Sequence, residues 1–209
     1  MKNTVFACLL LIASADCLGQ PLPVAQIKTN IEHAANPVAY VRENLKKKYK
    51  IDTVTITNST HFSGLADSLA YSATLKKVYG PYEGKVLVEV LARLPNTFTR
   101  VSQIFIDTSV FSRRIADSVA NSILLRLRNN SATFEDLAQT YSMGGEGATR
   151  GDLGWIAKGS IIPLIDRELA KRKKGEIFKV WTRRGVHIVK KTSDSRQDTG
   201  FALLMRVFL

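Results

Sequence analysis

Residues 175–191 read Gly175-Glu-Ile-Phe-Lys-Val-Trp-Thr-Arg-Arg-Gly-Val-His-Ile-Val-Lys-Lys191. Val180 to Thr182 and Val186 to Lys191 are strands, and Arg183-Arg-Gly185 is the break between them. Side chains alternate across a strand, so His187 shares a face with Val189, while Val186 and Ile188 face the other way. Upstream, Pro163 to Lys173 is a short helix with proline at its start and Gly175 beyond its end. Before it comes a glycine-rich loop, Gly144 to Gly154. Phe134, Leu137, Ala138 and Tyr141 form an amphipathic helical set. Ser112 to Arg128 is a longer helix, with Ile115, Val119, Ile123 and Leu127 in an i+4 row. Arg100 to Ile106 is a strand. This irregular interleaving implies an α+β domain, with helices on one side of a small antiparallel sheet.

The N-terminal half is harder to read. Gln20 to Asn36 contains prolines and has weak patterning, as a linker would. Asn36-Pro37 opens a helical stretch, with Asn36 as its cap and Val38, Val41 and Leu45 at helical spacing. Ile51 to Thr57 alternates as a strand. A second helix starts near Ser59-Thr60 and carries Leu65, Leu69 and Ala73. Tyr79 to Gly84 is a turn cluster, and Lys85 to Leu91 a strong strand. Phe201 to Leu209 is a further strand, expected to pair with Lys85–Leu91 or to extend the sheet.

The 209 residues carry 30 Lys+Arg against 18 Asp+Glu, a formal charge of +12. Such a surface attracts polyanions but does not specify a fold. The basic clusters at 46–48, 113–114, 171–174 and 183–184 are scattered and lack interleaved aromatics, so they read as solvated faces and no nucleic-acid partner is expected. Two cysteines, Cys8 and Cys17, and three histidines, His33, His61 and His187, cannot assemble the roughly four close ligands of a structural zinc site. No metal or other cofactor is expected. His33 and His61 read as surface residues.

Met1-Lys-Asn followed by the apolar run Val5–Ala15 and small residues reads as a secretory signal peptide, cleaved after Ala15 or, by preference, after Gly19, giving an exported, periplasmic protein. A lipid anchor on Cys17 is the competing reading, disfavoured by Asp16 before the cysteine. No later stretch reaches 18 apolar residues, so no transmembrane segment is expected.

Four pieces in series carry more than any one alone: Phe134-Glu-Asp-Leu-Ala-Gln-Thr-Tyr-Ser142, Gly151-Asp-Leu-Gly-Trp155, Gly175-Glu-Ile177 and Thr182-Arg-Arg-Gly-Val-His-Ile188. In this order and spacing the series resembles the parvulin (PpiC, rotamase) family of peptidyl-prolyl cis–trans isomerases, over about Thr97 to Ser193. The resemblance implies a four-stranded antiparallel sheet wrapped by helices, with a cleft on one face and a smaller α/β segment before it. It divides the chain into a signal peptide (1–19), a linker with a helix-strand-helix segment (20–96), the parvulin-like domain (97–194) and a C-terminal strand extension (195–209). A strand histidine between apolar neighbours is by spacing alone more often a satisfied core residue. The resemblance instead makes His187 a site residue, matched with Thr182. Leu153, Ile161 and Ile165 match the apolar positions that hold the proline ring. Asp152 reads as a turn or cap residue.

Three departures accompany the match, one of them Ile165 where the pocket usually has an aromatic. Gln103 stands where the first strand usually carries a second histidine, and Gly144 where a Cys or Asp is usual. Gln103 can donate and accept, and so hold His187 in one tautomer. Glu146 is placed to swing into the space left at Gly144. The implied activity is isomerisation of X–Pro bonds in exported proteins by an impaired, non-covalent enzyme. The alternative is a non-catalytic periplasmic chaperone on the same scaffold.

Overall fold

The computed structural model describes residues 22–60 and 62–209. The signal-peptide stretch with Cys8 and Cys17, and His61, lie outside the described residues. The chain folds as α1 (Val24–His33), α2 (Pro37–Tyr40) continuing into a π-type turn (Val41–Leu45), β1 (Tyr49–Thr55), α3 (Leu65–Ser72), β2 (Val78–Tyr82), β3 (Val86–Asp107), α4 (Arg113–Arg128), α5 (Phe134–Tyr141), β4 (Asp152–Ala157), α6 (Pro163–Lys171), β5 (Ile177–Trp181), β6 (Gly185–Lys191) and β7 (Arg196–Phe208). All the strands join one antiparallel sheet.

The 22-residue strand β3 is its spine. Its first half pairs with β7, from Val86↔Phe208 to Phe98↔Arg196, and its second half with β6, from Val101↔Lys191 to Asp107↔Gly185. Thr192 N donates to Arg100 O across the gap, so β6 and β7 follow β3 in succession along one edge. β2 and β4 lie on the other edge, while β1 flanks β7 and β5 flanks β6. The expected pairing of the 85–91 and 201–209 strands is therefore present. The expected four-stranded sheet is β4-β3-β6-β5, and it continues through β3 and β7 into a seven-stranded whole. The strands read separately at 85–91 and 100–106 are one strand, β3, with Pro95 inside it. The structure absorbs the proline at a register shift between Leu94 and Pro95, where the missing N–H costs the ladder little.

Alternation along β3 supplies core to both faces. In the first half Leu87 points towards Ile27, Ile31 and Val41 of α1 and the α2 turn, and Val88 and Val90 towards Leu69 and Ala70 of α3. In the second half Ile104 and Ile106 join Ile123, Phe134, Leu137 and Ile188 beneath α4 and α5. Val101 packs on the opposite face with Ile165, Leu169, Phe178 and Val189 beneath α6. Both faces are thus covered, where the sequence suggested helices on one.

The stretch expected to be a linker is partly α1. Pro23 forms its N-cap position, and Ile27 and Ile31, one turn apart, are buried. On α4 the buried face is Ala116, Ala120 and Ile123, whereas Ile115 is half exposed. Small residues let the helix approach the sheet closely, so of the i+4 row Ile123 is buried, Val119 and Leu127 are partly buried against the same core, and only Ile115 faces out.

One buried group is unusual. Glu89 on β3 is 1% exposed, and neither carboxyl oxygen has a hydrogen-bond partner among the described residues. Burial first, and the nearby Glu32 second, push its carboxyl up to about 7, against a partial offset from Lys76. The folded state therefore holds this proton more tightly than the unfolded chain. Stability associated with Glu89 is full below about pH 4.5 and is lost as pH rises through 7, by about 3 kcal/mol. Glu89→Gln should remove that loss, read as the difference between denaturation midpoints of the two proteins at pH 5 and pH 8.

Candidate active site

The register of β3 against β6 sets Phe105 opposite His187 and Gln103 opposite Val189. Residues 101, 103 and 105 of β3 share one face with 187 and 189 of β6. Helix α6 covers the Val101 and Val189 end of that face. Beyond its N-terminus the other end opens as a cavity of about 280 Å³ lined by Gln103, Phe105, Gly144, Gly145, Glu146, Leu153, Ile161, Ile162, Arg184 and His187. The rings of Phe105 and His187 stack with centroids 4.6 Å apart.

The turn Thr182–Gly185 fixes the imidazole from behind. Thr182 N donates to Gly185 O at 2.8 Å, and Arg184 N donates to Thr182 Oγ1 at 3.2 Å. Gly185 is obligatory at this point. Its φ is +153°, and a Cβ there would overlap Ile106 O and stand 3.1 Å from the Phe105 ring. On the other side, the loop 144–154 is pinned to β3. Gly151, at φ +89°, accepts from Gln103 N at 2.8 Å, and a Cβ on it would stand 2.8 Å from Ala138 Cβ. Phe105 N donates to Ser142 Oγ at 2.9 Å, and Met143 N to Phe105 O at 2.8 Å.

A continuous hydrogen-bond chain crosses the site. Gln103 Nε2 donates to Glu146 Oε1 at 3.1 Å, and Ser142 Oγ donates to the same oxygen at 2.8 Å. With its amide nitrogen turned to the carboxylate, Gln103 presents Oε1 to His187 Nδ1 at 3.1 Å. An amide oxygen only accepts, so Nδ1 carries the proton. His187 Nε2 then accepts from Thr182 Oγ1 at 3.0 Å.

The structure brings His187, Thr182, Gln103, Gly144, Leu153 and Ile161 together as the sequence suggested. Ile165 is the exception. It is fully buried among Val101, Leu169, Phe178 and Val189, beneath the cavity rather than in its wall. Pro163 starts α6, which turns residue 165 into the sheet and leaves Ile162, the residue before the helix, at the opening. Sequence reading missed Ile162, Phe105, Ser142 and Arg184. Strand alternation from Gln103 to Phe105 was the available signal for one of them. Asp152 behaves as a turn residue, accepting from Gly154 N at 2.9 Å and pairing with Arg100.

The sequence model of the PPIC-type PPIASE domain matches residues 87–195, just over half of the chain. The chain belongs to this parvulin family. Among curated relatives, Chaperone SurA of Aromatoleum aromaticum is 39% identical over 82 residues, covering 38% of this chain and 18% of the relative. Chaperone SurA of Saccharophagus degradans is 32% identical over 105 residues, covering 48% and 24%. The chain thus spans about a fifth to a quarter of the length of these relatives. Among solved structures, PrsA from Bacillus subtilis is 32% identical with a TM-score of 0.38, covering 46% of this chain and 35% of PrsA. A PpiC-type peptidyl-prolyl cis–trans isomerase domain is 23% identical with a TM-score of 0.45, covering 50% and 94%.

In this parvulin-family chain the imidazole is neutral at physiological pH. His187 is 4% exposed, and burial pulls its pKa down to about 4, with Glu146 opposing and Arg184 assisting the fall. The unfolded chain takes up a proton near pH 6.5, while the folded protein resists until about pH 4. Stability from this group is therefore full above about pH 6.5 and is lost as pH falls to 4, by about 3 kcal/mol. The ring proton shifts of His187 should titrate with a midpoint near 4. A midpoint near 6.5 would show the ring to be open to solvent.

Proposed function

We propose that the chain accelerates cis–trans isomerisation of X–Pro bonds in client proteins. The observation that carries this reading is the cavity beside His187. At about 280 Å³ it sits at the small end of ligand pockets, and its apolar wall is Leu153, Ile161, Ile162 and Phe105. A proline ring is apolar and lacks an N–H, so such a wall suits it.

Rotation about an X–Pro bond breaks no covalent bond. The obstacle is the roughly 18–20 kcal/mol cost of losing amide resonance. The site therefore needs no nucleophile, only tighter binding of the twisted amide than of either planar form. The twisted amide has lost its charge separation, and a water-poor wall favours it over the planar forms. The neutral His187, held by Thr182 and Gln103, contributes to that wall without placing a cation in it. With Gln103 and Gly144 where the family usually has His and Cys or Asp, the activity is an impaired one. Loss of a selective interaction worth about 2–3 kcal/mol lowers the rate by about 10².

Clients are proposed to be unfolded or folding exported proteins, met in the periplasm, in keeping with the signal-peptide reading of residues 1–19. A second reading, client holding without turnover, is supported by the Chaperone SurA relatives. The two part on the cavity: holding survives when the proline site is blocked.

The test is the cis-to-trans rate of a panel of X–Pro peptides with and without the protein. Acceleration is expected, reduced about tenfold or more by His187→Ala and by Ile161→Asp. The rate should be level above about pH 5 and fall as His187 gains its proton near pH 4. No acceleration by the native protein, together with aggregation suppression unaffected by Ile161→Asp, would replace the isomerase reading with the holding one.

A further inference from the structure

Gly144 lies at φ −97° and ψ 175°, extended backbone open to any residue. What a side chain would meet here is the end of the flexible Glu146 side chain, which would have to move aside. A Cβ built on Gly144 would overlap the Glu146 carboxyl oxygen and stand 2.6 Å from Glu146 Cδ. The carboxylate of Glu146 thus fills the position from which a side chain at 144 would reach into the cavity. It is also held there on purpose-built partners. Its Oε1 accepts from Gln103 Nε2 at 3.1 Å and from Ser142 Oγ at 2.8 Å. Ser142 Oγ already accepts from Phe105 N, so its single proton is committed to Glu146. Residue 146 itself is anchored by its carbonyl, which accepts from Gly151 N at 2.7 Å.

We infer that Glu146 is the positioning residue of the site: hung two residues downstream, it supplies the acid group at the place of residue 144 and, through Gln103, sets the tautomer of His187. The inference deepens the isomerase reading and rests on it for its kinetic half. The consequence follows from donor and acceptor counts. Remove the carboxylate, and Gln103 is free to turn its amide over and present N–H to His187 Nδ1, which then holds the lone pair. Nε2 becomes the protonated nitrogen and donates to Thr182 Oγ1, whose own proton is left to Gly185 O at 3.3 Å. The same logic makes acids at 144 and 146 competitors for the one place beside Gln103 and Ser142: an acid at either position can serve, and with both present the Glu146 carboxylate must give way.

The test is a cycle on the full chain: Glu146→Ala, Gly144→Asp and the double variant, with Glu146→Gln as the conservative control. Two readouts are taken, X–Pro isomerisation and the ¹⁵N shifts of the His187 ring. Each of Glu146→Ala and Gly144→Asp should lower kcat/KM about tenfold and disturb the Nδ1–H tautomer, whereas the double variant should recover both to within about threefold of the native protein. Glu146→Gln keeps an acceptor oxygen towards Gln103 and Ser142 and should preserve the tautomer, which also covers the case in which Glu146→Ala fails to fold. A double variant no better than the poorer single one, or an unchanged tautomer in Glu146→Ala, overturns the inference. If the native protein shows no turnover but the tautomer cycle closes, the isomerase reading fails and the positioning role stands.

Discussion

The ladder between β3 and β6 is the constraint on which the site depends. Setting Phe105 opposite His187 puts the ring stack, the Gln103 amide and the imidazole on a single face. A slip of β6 by one residue would turn His187 into the α4–α5 core, away from Phe105 and Gln103, and bring Ile188 out in its place. The register is held from both sides: Ile104, Ile106, Val186 and Ile188 are buried under the helices on one face, and Val101 and Val189 under α6 on the other. The cavity is the part of the second face that α6 does not reach.

Placing polar groups beside an apolar cavity is costly unless they satisfy one another. The chain Ser142–Glu146–Gln103–His187–Thr182 does so, each donor meeting an acceptor at 2.8–3.1 Å. A neutral histidine is the form that such a sequence of donors and acceptors requires, and burial favours the same form. Geometry and electrostatics therefore agree on one protonation state. Glu89, in the other half of the sheet, is the contrast: a buried carboxyl with no hydrogen-bond partner among the described residues, which depends on keeping its proton.

Much of this was legible in the residues, for reasons that differ from place to place. His187 and Thr182 sit on a strand and turn whose spacing fixes their distance, but spacing alone fits a core histidine equally well, and only the family resemblance marked the pair as a site. Leu153 lies at the start of β4 just after Gly151, and Ile161 lies just before Pro163, and both flanking residues are readable signals. Ile165 and Ile162 are adjacent in type and close in sequence, and only the direction of α6 decides which one meets the opening. The rotation of α4 onto Ala116 and Ala120 was hidden because small residues score weakly as apolar, although they allow the closest approach. The linker reading of Gln20–Asn36 failed because Pro21 and Pro23 drew attention from Ile27 and Ile31 behind them. The run of β3 through Pro95 was illegible for another reason: a proline breaks a strand unless a bulge receives it, and the bulge is made by β7, far away in the sequence.

That remote partnership shapes how the molecule must come into being. Arg196 to Phe208 complete a sheet whose other member was synthesised roughly a hundred residues earlier. Until they emerge, the apolar row Leu87, Val88 and Val90 has an unfilled edge, and neither the α1 layer nor the α3 layer has its full floor. A protein proposed to assist the folding of others thus passes through its own vulnerable stage, a half-built ribbon that waits for a strand made roughly a hundred residues later.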